Sequence, residues 1–176
     1  TMKHTLLALG LTLGLTLGLV LGVQAAEVGG VKLEDKLRLS PKGPELVLNG
    51  AGIRTRVFFK VYVGGLYLTE KKCAAADVLA LSGPKRVSMT MLRDLTAQQL
   101  SEALAEGIRN NASAAEQDAL KAPINELLGI MNALGEAKTG DTVLLDFLPD
   151  SGTRVVVNGQ PRGKPIAGED FYRALL

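Results

Sequence analysis

The chain has 176 residues, 47% apolar and 22% charged, with 20 Gly, one Cys, one His, no Trp and a formal net charge of +2. That is the composition of a single globular domain, and it excludes a disordered, collagen-like or disulfide-stapled chain. The charges are interspersed, so the basic stripe of a nucleic-acid binder is missing and no nucleic-acid partner is expected.

Residues 2–26 open on Met2-Lys3-His4, run apolar from Leu6 to Val23 and leave through Gln24-Ala25-Ala26. A short basic head, an apolar middle and a small-residue exit form a secretory signal peptide. The expected organisation is a signal over 1–26, cut after Ala25 or Ala26, and one domain over 27–176, periplasmic or secreted. The repeated Gly-Leu-Thr-Leu makes this run a poor spanning helix, so no stable membrane span is expected after cleavage. Cleavage takes Lys3 and no acid, leaving a net charge of +1. It also takes His4, the sole histidine, and with it any Ser-His-Asp triad, Cys-His dyad or His-ligated metal. No metal site and no cofactor are expected. Cys73 is alone, so it forms no internal disulfide and reads as a half-buried residue without a role.

Glu27-Val28-Gly29-Gly30 and the stretch to Leu39 predict a tail and a short strand, closed by a turn at Ser40-Pro41-Lys42-Gly43-Pro44. Strands follow at Leu46–Asn49 and Thr55–Leu68, with Asn49-Gly50-Ala51-Gly52 between them as a tight turn or bulge. In the longer strand Val57, Phe59, Val61 and Val63 share one face, and Phe58, Lys60 and Tyr62 the other. Gly64-Gly65 predicts a bulge before Leu66-Tyr67-Leu68. A short helix spans Ala74–Leu81, and Val87, Met89 and Met91 alternate with Ser88 and Thr90 in the next strand. Thr96-Ala97-Gln98-Gln99 and Ser113-Ala114-Ala115-Glu116 are capping boxes that open two helices. Pro123 marks the first turn of a third helix, which carries Ile124, Leu127, Leu128 and Met131 and ends near Gly135. Thr142–Leu148 and Thr153–Val157 form a hairpin around Pro149-Asp150-Ser151-Gly152, and Asn158-Gly159 starts another. Gly168–Leu176 begins a helix without a stop signal, so a missing C-terminal piece is expected. This order predicts an α+β fold with a mainly antiparallel sheet.

Ser82-Gly83-Pro84-Lys85 and Lys138-Thr139-Gly140 fit S-x-x-K and K-T-G, but Gly83-Pro84 forbids the helix that an acyl-enzyme needs there. Asp146 and Asp150 read as solvated acids. Arg54 follows the glycine turn, where a guanidinium is able to enter a cleft and grip a carboxylate or phenolate in bidentate fashion. Tyr62 and Tyr67 lie on the strand beyond it.

Leu48-Asn49-Gly50-Ala51-Gly52-Ile53-Arg54, Phe59-Lys60-Val61-Tyr62-Val63-Gly64-Gly65-Leu66-Tyr67-Leu68, Arg86-Val87-Ser88-Met89 and Thr96-Ala97-Gln98-Gln99 occur in an order that resembles the chalcone isomerase-like family. Thr153-Arg154-Val155, Asn158-Gly159 and Phe171-Tyr172-Arg173-Ala174-Leu175-Leu176 are similar to its exported bacterial branch. The resemblance covers about residues 36–176. It implies a large antiparallel sheet with helices packed on one face, an open-faced sandwich, and a ligand cleft between the layers. The family includes enzymes that close chalcones to flavanones, fatty-acid-binding proteins and members without known activity. Arg54 matches the arginine that both functional groups use, on the substrate's developing charge or on the carboxylate. Tyr62 falls where the enzymes carry a threonine and is more similar to the fatty-acid binders. Leu100, Ala103 and Gly107 stand where the enzymes carry Tyr, Lys and Asn.

These substitutions leave a smooth apolar wall without side-chain hydrogen bonds for a polyphenol, which suits an acyl chain. The expected function is non-catalytic binding of a small amphipathic anion such as a fatty acid by Arg54, Tyr62, Leu100, Ala103 and Gly107. An isomerase or intramolecular lyase with Arg54 as its electrophilic group is the alternative, and a partner-binding module without a ligand is the third reading.

Overall fold

The computed structural model describes residues 25–176, and its first strands arise from a turn that only glycine makes easily. Gly29 and Gly30 both have positive φ, at 58° and 82°, and join β1 (Ala25–Val28) to β2 (Val31–Glu34). The expected tail is therefore a hairpin. Of the expected signal peptide, residues 1–24 lie outside the described residues, and Ala25-Ala26 begin β1.

The chain continues through β3 (Lys36–Arg38), β4 (Glu45–Arg56), β5 (Phe59–Leu68), α1 (Ala75–Ala80), β6 (Lys85–Met91) and β7 (Leu95–Thr96). The helical stretch follows as α2 (Ala97–Asn111), α3 (Ala114–Ala119) and α4 (Lys121–Leu134). Then come β8 (Glu136–Ala137), β9 (Thr142–Leu148), β10 (Gly152–Val157), β11 (Gln160–Ile166) and α5 (Glu169–Leu175). The fold is α+β, with a curled, seven-stranded antiparallel sheet in the order β11-β10-β9-β6-β5-β4-β3.

Strand register decides three local expectations. Of the two alternatives for Asn49-Gly50-Ala51-Gly52, turn or bulge, the bulge holds: the segment lies inside β4, one continuous strand, and the register slips at Asn49. The reversal comes later, at Val57-Phe58, within the stretch expected to be one strand. The register slips again at Val61, whereas Gly64 and Gly65, where a bulge was expected, pair regularly with Gly52 and Ala51. The two glycines serve close approach instead. A Cβ on Gly65 would lie 2.9 Å from Ser88 Oγ and 3.4 Å from Leu33 Cδ2, so β2 is able to lie against this face only because the side chain is absent. The slip at Val61 and the reversal at Val57 break the expected alternation of Val57, Phe59, Val61 and Val63.

The two sheet faces carry different chemistry. Val87, Met89, Met91, Val143, Leu145, Phe147, Val155 and Val157 face the helices and form the core with Leu127, Phe171 and Tyr172. The opposite face, partly covered by the β1–β2 hairpin, holds Asp146 with its cross-strand neighbours Arg86 and Arg154. Asp146 is fully buried and bonded to both arginines, which corrects its reading as a solvated acid. Asp150, in the turn, is exposed. Cys73 is exposed rather than half-buried, in the linker after β5. Lys85 opens β6 and is buried, its Nζ 3.8 Å from Glu169 and 5.3 Å from the Phe147 ring centre. Burial lowers its ammonium pKa, and Ser82 lies in the loop between α1 and β6 rather than on a helix.

Tyr172 ties α5 to the sheet by donating its hydroxyl to the Leu145 carbonyl at 2.8 Å. Burial, with the Asp146 charge second, pushes its ionisation upward. In the unfolded chain a tyrosine ionises near pH ~10, so above that pH the folded state binds the extra proton and stability falls as pH rises. Tyr172→Phe is expected to lose about 1 kcal/mol at neutral pH through the missing hydrogen bond. Its stability should decline less steeply than wild type above pH ~10. Urea midpoints on either side of that pH check both effects, and parallel profiles would refute the tyrosine assignment.

Candidate functional site

The hairpin β4–β5 supplies one wall of a cavity and α2 the other. Arg54 and Tyr62 are direct cross-strand partners, and Tyr62 directly follows the slip at Val61 on β5. Bulges re-aim side chains, and this one sits where a polar pair must turn toward the helices. Arg54 is exposed and, among the described residues, forms no ion pair; Arg56 instead meets Glu106 at 3.5 Å. Burial raises the Tyr62 phenol's pKa, with the Arg54 guanidinium offsetting part of the rise. At neutral pH the pair therefore offers a cation beside a neutral O–H donor.

The position of α2 is set at its start. Thr96 Oγ1 accepts from the Gln99 N–H at 3.2 Å, and Gln99 Oε1 accepts from the Thr96 N–H at 3.0 Å, completing the expected capping box. The two-residue strands β7 and β8 pair just before α2 and just after α4, and the Ala97 N–H reaches the Gly135 carbonyl at 2.8 Å. Both ends of the helical layer are thereby fastened to each other. Helical spacing then brings Leu100, Ala103, Leu104 and Gly107 to one face.

Arg54, Tyr62, Leu100, Ala103 and Gly107 all line one cavity of about 300 Å³ between sheet and helices. Its floor is Met89, Met91, Val143, Leu145, Val155 and Val157, and Ile130, Met131 and Leu134 of α4 close one side. Arg54 is its one charged lining residue among those described. The volume is at the lower end of the roughly 300–1,000 Å³ found for small-molecule sites. Tyr67, the other tyrosine of the strand, is five residues from Tyr62 and buried away from this cavity. Sequence reasoning missed Asn111, which lines the cavity and donates its amide to the Gly107 carbonyl at 2.8 Å. Its signal was available, since Asn111 is one turn beyond Gly107 on the same helix.

The chemistry available is limited. A largely apolar cavity with one cation, one phenol and one amide is able to orient an anionic headgroup. Among the described residues there is no cluster of His, Cys, Asp and Glu able to hold a metal, and no helix long and apolar enough to cross a membrane. A second depression of about 470 Å³, between α4 and β11, is more open to solvent and contains none of the residues expected at a site.

A family model described as chalcone isomerase-like matches residues 25–176. The crystal structure of an Arabidopsis thaliana fatty-acid binding protein is similar in fold, with a TM-score of 0.67 and 13% sequence identity over 86% of each chain. No curated protein matches the chain.

Proposed function

The chain belongs to the chalcone isomerase-like family, and we propose that it is a non-catalytic binding protein for a small amphipathic anion such as a fatty acid. The observation that carries this reading is the cavity itself: one cation, one phenol and one amide in an otherwise apolar space. A carboxylate would take Arg54 and the Tyr62 hydroxyl, and the acyl chain would lie against Leu100, Ala103 and Gly107. Burying ~10 methylenes at roughly 0.8 kcal/mol each provides the gross driving force, before the cost of ordering the chain. The fatty-acid binding protein of similar fold supports this reading. The signal-like residues 1–26 support a periplasmic or secreted location, and a mature N-terminus at Ala26 or Glu27 would test it.

Arg54→Ala is the direct test. Charge-assisted hydrogen bonds contribute about 1.5–3 kcal/mol, so dodecanoate affinity should fall roughly 10- to 100-fold. Arg54 is exposed, so stability should move by no more than about 0.5 kcal/mol. Native mass spectrometry and titration with dodecanoate read the first effect, and thermal melting the second. A protein that takes up no dodecanoate, or an Arg54→Ala variant that binds as wild type, would sink the proposal.

A further inference from the structure

The tip of the β4–β5 hairpin breaks a local rule. Two-residue hairpin turns ordinarily place Gly, Asn or Asp where φ is positive. Here Val57 and Phe58 connect Arg56 to Phe59, and Val57 has φ 57°. A β-branched residue in the left-handed region is strained, and such strain persists where function requires it. No packing within the domain compensates, because Val57, Phe58 and Phe59 are 76%, 91% and 59% exposed.

Cations surround this apolar apex. Arg56 and Lys60 flank the turn in sequence, and the Arg93 guanidinium lies 4.8 Å from the centre of the Phe59 ring. Among the described residues Glu106 is the acid that ion-pairs with this group, through Arg56, and Lys60 and Arg93 form no ion pair. Aromatic side chains projecting past a basic collar match the interface of an anionic bilayer: rings enter the acyl boundary and cations meet headgroup phosphates. A patch that served only solubility would not place its largest apolar side chains at the most exposed points.

We propose that the Val57-Phe58-Phe59 tip docks the protein onto an anionic lipid surface, with Arg56 and Lys60 on the headgroups. Arg54 lies three residues before Val57, so docking brings this cavity-lining cation toward the membrane. The docking itself does not depend on the carrier reading; only its use as an entry route for a fatty acid does.

Vesicle flotation tests it, comparing phosphatidylcholine vesicles with vesicles a quarter of whose lipid is phosphatidylglycerol. Wild type should float with the anionic vesicles and bind the neutral ones at least about tenfold more weakly. Phe58→Ser/Phe59→Ser should weaken anionic-vesicle binding by about tenfold or more. Arg56→Gln/Lys60→Gln should remove most of the salt-dependent part of the binding, with Arg93 supplying the remainder. All variants share residues 1–26, so their differences read the tip alone. Should the double serine variant fail to fold, Phe58→Ser alone, at the most exposed ring, makes the same test. Undiminished dodecanoate uptake by the serine variant would show that the cavity is intact and separate the two proposals. Equal flotation of wild type and the serine variants, or no flotation, overturns the docking. So does self-association that the serine changes abolish in a protein that ignores vesicles, which would assign the tip to a second copy of the chain.

Discussion

Asp146→Ala is expected to destabilise the protein by roughly 3–5 kcal/mol, the range for removing one partner of a buried ion pair. The carboxylate is fully buried on β9 and accepts from three guanidinium nitrogens: Arg86 Nε at 2.6 Å, Arg86 Nη2 at 2.8 Å and Arg154 Nη2 at 2.9 Å. Strand register creates the cluster, since Arg86, Asp146 and Arg154 stand side by side on β6, β9 and β10. Alanine would leave two neighbouring cations on one sheet face without the anion between them. Arg86 has a side chain only 17% exposed, so it has little water to turn to, whereas Arg154 at 32% has more and also reaches the Leu39 carbonyl at 3.3 Å. The loss should therefore reflect chiefly Arg86. Domains of this size are stable by about 5–15 kcal/mol, so the variant should remain folded in water but with little reserve. Urea unfolding measures this as a lower midpoint at an unchanged slope. Asp146→Asn, which keeps an acceptor and loses the charge, should fall between the two. A midpoint shift worth less than about 1 kcal/mol for the alanine variant would mean that the cluster is a surface feature. Dodecanoate affinity of the folded protein should not change, because the cluster is on the sheet face turned away from the cavity.

That cluster also shows what a single strand's pattern conceals. Alternation along Thr142–Leu148 places Asp146 opposite Leu145 and Phe147, and a lone acid on the non-core face of a strand reads as solvated. Its partners lie 60 and 8 residues away and meet it only through sheet register. The hairpin reversal was concealed for a different reason. Val57-Phe58 has no turn chemistry, whereas Asn49-Gly50-Ala51-Gly52 has a great deal, so local signals admit a reversal at the glycines and none at Val57. Glycine pairs are ambiguous between turning and permitting close approach, and at Gly65 only the proximity of Leu33 and Ser88 decides. Where the signal is local and chemical, the reading holds. The side-chain oxygens of Thr96 and Ser113 start α2 and α3 at the expected residues because a cap is satisfied within four residues of chain. The cavity was legible in part: helical spacing groups Leu100, Ala103 and Gly107, and resemblance, not periodicity, joins them to Arg54 and Tyr62.

Gly107→Leu should do two things that rarely go together: stabilise the fold and remove ligand binding. Glycine inside a helix costs roughly 0.5–1 kcal/mol relative to alanine, and Gly107 lies within α2. A Cβ built there meets no atom within 4 Å, so the added side chain enters open space rather than packed core. That space is the cavity, which Gly107 lines. Gly107→Ala should therefore gain about 0.5–1 kcal/mol, raising Tm by roughly 1–4 °C, with dodecanoate binding little changed. Gly107→Leu should keep most of that gain while its isobutyl group takes volume from a cavity of only about 300 Å³. Dodecanoate affinity should then fall by more than about tenfold, because an overpacked site must displace either the ligand or its own walls. Thermal melting with and without dodecanoate reads both quantities in one experiment: a higher Tm alone, and no further rise on adding ligand. A leucine variant that still responds to dodecanoate like wild type would place the ligand elsewhere. A leucine variant that melts lower while the alanine variant melts higher would show that the space beside Gly107 is too small for an acyl chain, and the carrier reading would fail with it.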